Sequence, residues 1–247
     1  SLSGFVMYSD QIWYSHNYMK VSEIEQLPEV IQAGSILEAL ESKGLGEPAI
    51  AAGWTRSLLT DGVTADIDVS YVGKIHYQQA QLILKDVLDD VKPANKHMWD
   101  VNGIWNAQIA YQVEHTVDNF LLYYLNSIDS VFLASDGKLH DPTGFGFSDA
   151  ESKTLRINEY DLINREPSAS EEVNVCLENC RRLAKFGWFP TARSVERIRA
   201  GSTSWSKLSD DEKNYFIDKL KAKYTNSDRL AAQTVYSQYG WGFIFDL

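Results

Sequence analysis

The stretch Ala52-Gly53-Trp54-Thr55-Arg56-Ser57-Leu58-Leu59, with Asp66-Ile67-Asp68 shortly after it, decides how this sequence is read. Ala49–Ala52 is a short apolar run closed by Gly53, the pattern of a buried strand entering a tight turn. Trp54–Thr60 reads as a short helix. Asp66–Val72, Asp-Ile-Asp-Val-Ser-Tyr-Val, alternates polar and apolar residues as a half-buried strand does. Alternate residues of a strand share a face, so Asp66 and Asp68 are expected to project two carboxylates side by side. Hard oxygen ligands at that spacing suit Mg²⁺, which takes one or two protein carboxylates and fills its shell with phosphate oxygens and water. Gly53 at a helix start lets backbone approach a phosphate, and Arg56 in the first turn is placed to clamp phosphate oxygens. An isolated Asp-x-Asp is usually a solvated strand face. The ordered set of Gly turn, Arg, Leu-Leu and Asp-x-Asp is what argues for chemistry.

Working outward, residues 1–29 are aromatic and irregular and are expected to form an N-terminal extension packed on the main fold. Val30–Ser42 repeats Ile31, Ile36, Leu37 and Leu40 at mostly helical spacing, and Gln78–Val91 is a clear amphipathic helix. Met98–Val101 is strand-like, and a helical stretch is expected near Val117–Asn126. Asp136-Gly137, flanked by Ser130–Ala134 and Lys138–His140, marks a hairpin. Ala49–Ala52, Asp66–Val72 and Met98–Val101 are expected to be neighbours in a mixed sheet. From Glu171 onward the chain reads as helix: Glu171–Phe186, Thr191–Ala200, Ser209–Tyr224 and Asp228–Ser237. The expected plan is an α/β (α+β) head over 30–165 and an all-helical domain over 166–247, divided near Pro167.

The 247 residues are 44% hydrophobic and 23% charged, the composition of a globular protein. The net charge of −11 argues against a broad nucleic-acid-binding surface, because phosphate binding needs clustered Lys and Arg. No apolar run approaches the roughly 20 residues that span a bilayer, so no membrane partner is expected. The first residues lack a signal-peptide pattern, and two cysteines, Cys176 and Cys180, are too few for a disulfide framework. A cytoplasmic protein is the expectation. Cys176 and Cys180 lie four apart in an apolar helical stripe and read as buried thiols.

Taken in order, these motifs resemble the head and neck of class II CCA-adding enzymes and bacterial poly(A) polymerases, in the polymerase β-like nucleotidyltransferase superfamily. Ala52-Gly53 stands for that family's Gly pair, Arg56 for its Arg, and Asp66 and Asp68 for its metal-binding carboxylates; Ser57 replaces the family Asp. Asp136–Gly144 resembles the hairpin Asp-Gly-x-Leu-Ile-Asp-Pro-x-Gly-Gly, and Asp149–Arg156 its continuation. Arg181–Trp188 resembles the neck's Arg-Phe-Ala-x-x-Leu-Gly-Phe. Asn106-Ala107 matches the end of Arg-Arg-Asp-Phe-Thr-x-Asn-Ala, with Asp100-Val101-Asn102 in place of Arg-Arg-Asp. The base-selecting Glu-Asp-x-x-Arg falls on Glu171-Glu172-Val173-Asn174-Val175, so its Arg has become Val175.

The resemblance implies a Mg-dependent nucleotidyltransferase that moves a nucleoside monophosphate from an NTP, ATP or CTP, to a hydroxyl acceptor and releases pyrophosphate. The acceptor is an RNA 3′ end or a small molecule. It implies Asp66 and Asp68 as metal ligands, Asp100 as a third carboxylate, and Gly53, Arg56, Asn106, Glu172 and Arg181 as nucleotide-binding residues. Altered NTP choice is expected from Val175, and no tRNA-gripping body and tail are expected after the neck. The alternative is a catalytically silent nucleotide-binding module that keeps the head fold.

Overall fold

The computed structural model describes residues 19–60, 67–73, 75–88, 90–95, 98–101, 107–112, 125–158, 167–224 and 226–246. The chain divides into two compact units: Ser1–Tyr124 with Ile128–Glu151, and Leu125–Ser127 with Ser152–Leu247. The boundary expected at 165/166 falls in 159–166, outside the described residues, as do 1–18 of the expected extension and most of the Val117–Asn126 helix.

In the first unit, α1 (Val21–Ile24) leads into α2 (Pro28–Ser42), whose Pro28 sits in the first turn, where a missing N–H costs nothing. Val30, Ala33, Ile36, Leu37 and Leu40 are buried, whereas Ile31, grouped with them in sequence, is 53% exposed. The Glu25 carboxylate accepts from the Leu139 backbone N–H at 2.9 Å, tying the start of the described chain to a hairpin strand. Next come β1 (Glu47–Ala51), α3 (Gly53–Leu59), β2 (Asp68–Val72) and α4 (Tyr77–Val87). The remaining elements are β3 (Val91–Asn95), β4 (Met98–Val101), β5 (Ala107–Gln112), β6 (Phe132–Ala134), β7 (Leu139–His140) and α5 (Gly146–Glu151).

Of the boundaries that differ from expectation, two bear on the sheet. Helix α4 stops at Val87 rather than Val91, because Leu88 turns extended (φ −116°, ψ 139°) and Asp90 takes a positive φ of 55°. Val91 then opens β3, which carries Pro93; a strand with proline belongs at a sheet edge, and β3 is one. Strand β2 begins at Asp68, with Ile67 before it outside the strand.

Among the described residues the sheet runs β3-β4-β5-β2-β1-β6-β7, antiparallel except for the β2–β5 pair. It is the expected mixed sheet with one change of neighbour. β1 and β2 pair as expected, but β5 lies between β2 and β4, because β4 and β5 form their own antiparallel pair. Val69, Tyr71 and Trp99 are fully buried, placing the middle of the sheet in the core.

Among the described residues the second unit is helical apart from a two-residue parallel pair, β8 (Thr154–Leu155) with β9 (Phe189–Pro190), and a single antiparallel bridge between Asn126 and Ile157, none of which the sequence pattern announces. Its helices are α6 (Ala169–Phe186), α7 (Ala192–Trp205), α8 (Asp210–Lys223) and α9 (Asn226–Gln238), followed by a 3₁₀ turn at Gly242–Phe245. Ser168 and Glu171 form a reciprocal capping box at the start of α6, and Gly187 closes it with a φ of 64°. Helices α6 and α7 approach closely at Gly201, where a Cβ would run into the Cys176 sulfur. The Trp241 Nε1–H donates to the Ile198 carbonyl at 2.8 Å and the Tyr236 hydroxyl to Leu177 O at 3.0 Å, so α9 and the 3₁₀ turn are pinned to α6 and α7. Cys176 and Cys180 are buried and unpaired, and burial pushes both thiols well above their ordinary value. Among the described residues no helix is long and apolar enough to cross a membrane.

Candidate active site

The β1–α3 turn is built around Ala52, which holds φ 58° and ψ −114°. That region is strained for any residue with a Cβ and ordinarily belongs to glycine. It turns the chain sharply from the buried end of β1 into Gly53, the first residue of α3. Register pairs Ala51 with Asp68, so the Asp68 backbone stands directly across from the residue that enters the turn. Asp66 lies outside the described residues, and so does the side chain of Asp68.

The β2–β5–β4 pairing gives the position of Asp100, the expected third carboxylate. Val69 and Trp99 both pair with Ile109, and Asp100 pairs with Gln108. One step back from Val69 is Asp68, and one step on from Trp99 is Asp100, so both backbone positions fall in the row through Gln108. One strand separates them, which places their backbones about 10 Å apart at the usual strand spacing. Asp100 is half-buried. Asn106 lies outside the described residues.

Arg56 has a partner that the sequence motif does not contain. It is 9% exposed, and its Nη1 donates to the carboxylate of Asp129, a fully buried residue. Asp129 also accepts from the Ala52 N–H through its backbone carbonyl at 3.2 Å, and the Thr55 hydroxyl donates to Val131 O at 2.9 Å. The guanidinium expected on phosphate thus has a buried carboxylate partner beside the turn. Asp129 is the site residue that the sequence reading missed. Its only local signal is its place just before the apolar run Val131-Phe132-Leu133.

In the helical unit, Glu172 is clamped by Arg197 of α7: Nε donates to Oε1 at 3.0 Å and Nη2 to Oε2 at 2.9 Å. Arg197 also donates to the Asn158 carbonyl. Val175, where the resembled motif has Arg, is 7% exposed. Arg181 donates from Nε to Glu178 Oε2 at 2.7 Å. Glu172 and Arg181 thus each have an internal partner, and both partners lie outside the motif that suggested them.

Among the described residues no three His, Cys, Asp or Glu side chains gather closely enough to hold a metal. Carboxylate oxygens are the hard donors that suit Mg²⁺, and the backbones of Asp68 and Asp100 share one row of the sheet.

A strained turn between β1 and a short helix, with Asp68 opening the neighbouring strand and a helical unit following, matches the nucleotidyltransferase fold. Within that class the chain has the class II CCA-adding and poly(A) polymerase-like fold. A Thermotoga maritima CCA-adding enzyme solved in complex with tRNA superposes with a TM-score of 0.66 at 15% identity, covering 90% of this chain and 54% of the other. A CCA-adding enzyme in complex with ATP gives 0.68 at 13% identity, covering 90% and 53%. A tRNA-processing enzyme in an apo form gives 0.70 at 12% identity, covering 92% and 60%. The chain spans about half the length of the first of these structures. No family model and no curated protein sequence matches it.

Proposed function

We propose that the chain is a divalent-metal-dependent nucleotidyltransferase that transfers a nucleoside monophosphate from ATP or CTP to a hydroxyl acceptor, an RNA 3′ end or a small molecule, and releases pyrophosphate. The observation that carries this reading is the pairing of Asp68 with Ala51 at the mouth of the strained Ala52–Gly53 turn. Asp66 and Asp68 hold the metal, magnesium by their donor chemistry, and Asp100 stands as third carboxylate. When bound, the metal supplies positive charge to the triphosphate and favours ionisation of the attacking hydroxyl. The chain's own part is positional. Gly53 lets backbone come close to the phosphates, and the Arg56–Asp129 pair keeps the turn from relaxing. The two unpaired cysteines support a reducing, cytoplasmic setting.

Glu172 bound to Arg197, together with apolar Val175, favours a relaxed or altered NTP choice over ordered addition of C, C and A. The same observation keeps open a second reading, a nucleotide-binding module without turnover.

The test is incubation of the protein with Mg²⁺, each labelled NTP in turn, and pooled small RNA and metabolites. Labelled acceptor and pyrophosphate should appear with at least one NTP. Asp68→Ala should abolish both while leaving the melting temperature nearly unchanged, because removing one of two adjacent like charges does not cost stability. NTP binding without turnover in the natural protein selects the silent module. Unchanged turnover in Asp68→Ala sinks the assigned site.

A further inference from the structure

Glu178 on α6 is the hub of a charge cluster that the proposed reaction does not use. Its Oε2 accepts from Arg181 at 2.7 Å and lies 3.5 Å from Arg182 Nη1. Its Oε1 lies 2.6 Å from Lys223 Nζ and 3.0 Å from Lys219 Nζ, both on α8. Four cations thus converge on one carboxylate. Asn174 Oδ1 takes a second hydrogen bond from Lys219 at 3.0 Å but brings no charge. Glu178, Arg181, Lys219, Lys223 and Asn174 line a small pocket of about 10 Å³ backed by Leu177 and Leu220, with room for about one water. The lysine side chains are 30% and 34% exposed, so solvent reaches the mouth of the pocket.

Clustered cations at partial burial repel one another, and Arg181, Lys219 and Lys223 share the one Glu178 carboxylate. The effect is visible on Lys223. Burial first, then repulsion from Arg181 and Lys219, hold its ammonium below the ordinary value even against its hydrogen bond to Glu178. A phosphate brings up to two negative charges and several acceptor oxygens. Those suit a guanidinium fork and two mobile ammonium groups better than one carboxylate does.

We propose that Lys219, Lys223 and Arg181 form a phosphate-binding site at the mouth of this pocket, with Glu178 as its resident competitor. The site lies within the helical unit and is independent of the Asp-x-Asp chemistry. A free or terminal phosphate and a phosphodiester backbone present the same oxygens, so both are tested.

The experiment is calorimetric titration of the full chain, at fixed ionic strength, with inorganic phosphate and separately with an oligothymidylate lacking terminal phosphates. The double variant Lys219→Gln/Lys223→Gln should weaken binding of the active probe at least tenfold. Glu178→Gln, which removes the competing charge, should tighten it about tenfold. Binding of phosphate alone assigns a free or terminal phosphate, and binding of the oligomer alone assigns a backbone. Melting curves confirm that each variant is folded; if Glu178→Gln does not fold, the double lysine variant decides. Affinities for both probes that ignore the variants, or weaker binding in Glu178→Gln, overturn the site and leave an internal ion-pair hub.

Discussion

At Ala52 a methyl group occupies a backbone conformation (φ 58°, ψ −114°) that glycine enters without strain. The turn survives because neighbours hold it: Asp129 accepts from the Ala52 N–H and, through its carboxylate, from Arg56. Ala52→Gly should therefore relieve strain of about 1 kcal/mol and raise the melting temperature, although glycine elsewhere usually lowers it. A lowered melting temperature would show that the turn is unstrained. The turn itself was legible in the sequence, since an apolar run ending at a glycine is a local signal. Asp129 was not, because it meets Arg56 across 73 residues and no periodicity announces such a pair. The same limit hid Arg197 from Glu172, 25 residues away on another helix.

Helices of the second unit are legible because their apolar stripes are local, although α7 runs on to Trp205 where the expected helix stops at Ala200. How two helices meet is a matter of single atoms. At Gly201, α7 lies so close to α6 that a methyl group would displace the Cys176 sulfur. Gly201→Ala should cost about 1–3 kcal/mol by overpacking, outweighing its helix-propensity gain. Adding Cys176→Ala should recover much of that loss, which a double-mutant cycle on melting temperatures would reveal. Additive losses would place the clash elsewhere.

The Glu178 hub joins α6 to α8 and gives the pair its own response to acid. Burial pushes the Glu178 carboxyl up, but Arg181 and Lys223 pull harder and hold it far below the ordinary value of 4.5. A carboxyl depressed on folding stabilises fully above its unfolded value, and that contribution is lost as pH falls from about 4.5 toward the folded value. The gap in melting temperature between the natural protein and Glu178→Gln should thus be widest near neutrality and narrow below about pH 4.5. A gap that is constant with pH would mean that the carboxylate adds nothing electrostatic.

At the scale of the molecule, the division into an α/β part and a helical part was legible from the change in hydrophobic period, from alternation to three-and-four spacing. Sheet order was not. Strand β5 enters between β2 and β4 because of how β4 doubles back, a long-range choice that strand-like composition does not encode. The pairing of β1 with β6 has a further consequence, for synthesis rather than for the finished protein. Pro48–Ala51 is buried throughout, and its second partner, Phe132–Ala134, follows about 80 residues later. A ribosome adding roughly 5–20 residues per second leaves that apolar strand edge open for about 4–16 s, exposed to pairing with another nascent chain. Ribosome-arrested chains that end before Phe132 should be cleaved by protease near β1, and chains whose Phe132–His140 hairpin has cleared the exit tunnel should resist. Equal protection of both would mean that the emerging half-sheet is shielded before its last strands arrive, and a trapped chaperone on the shorter chains would identify the shield.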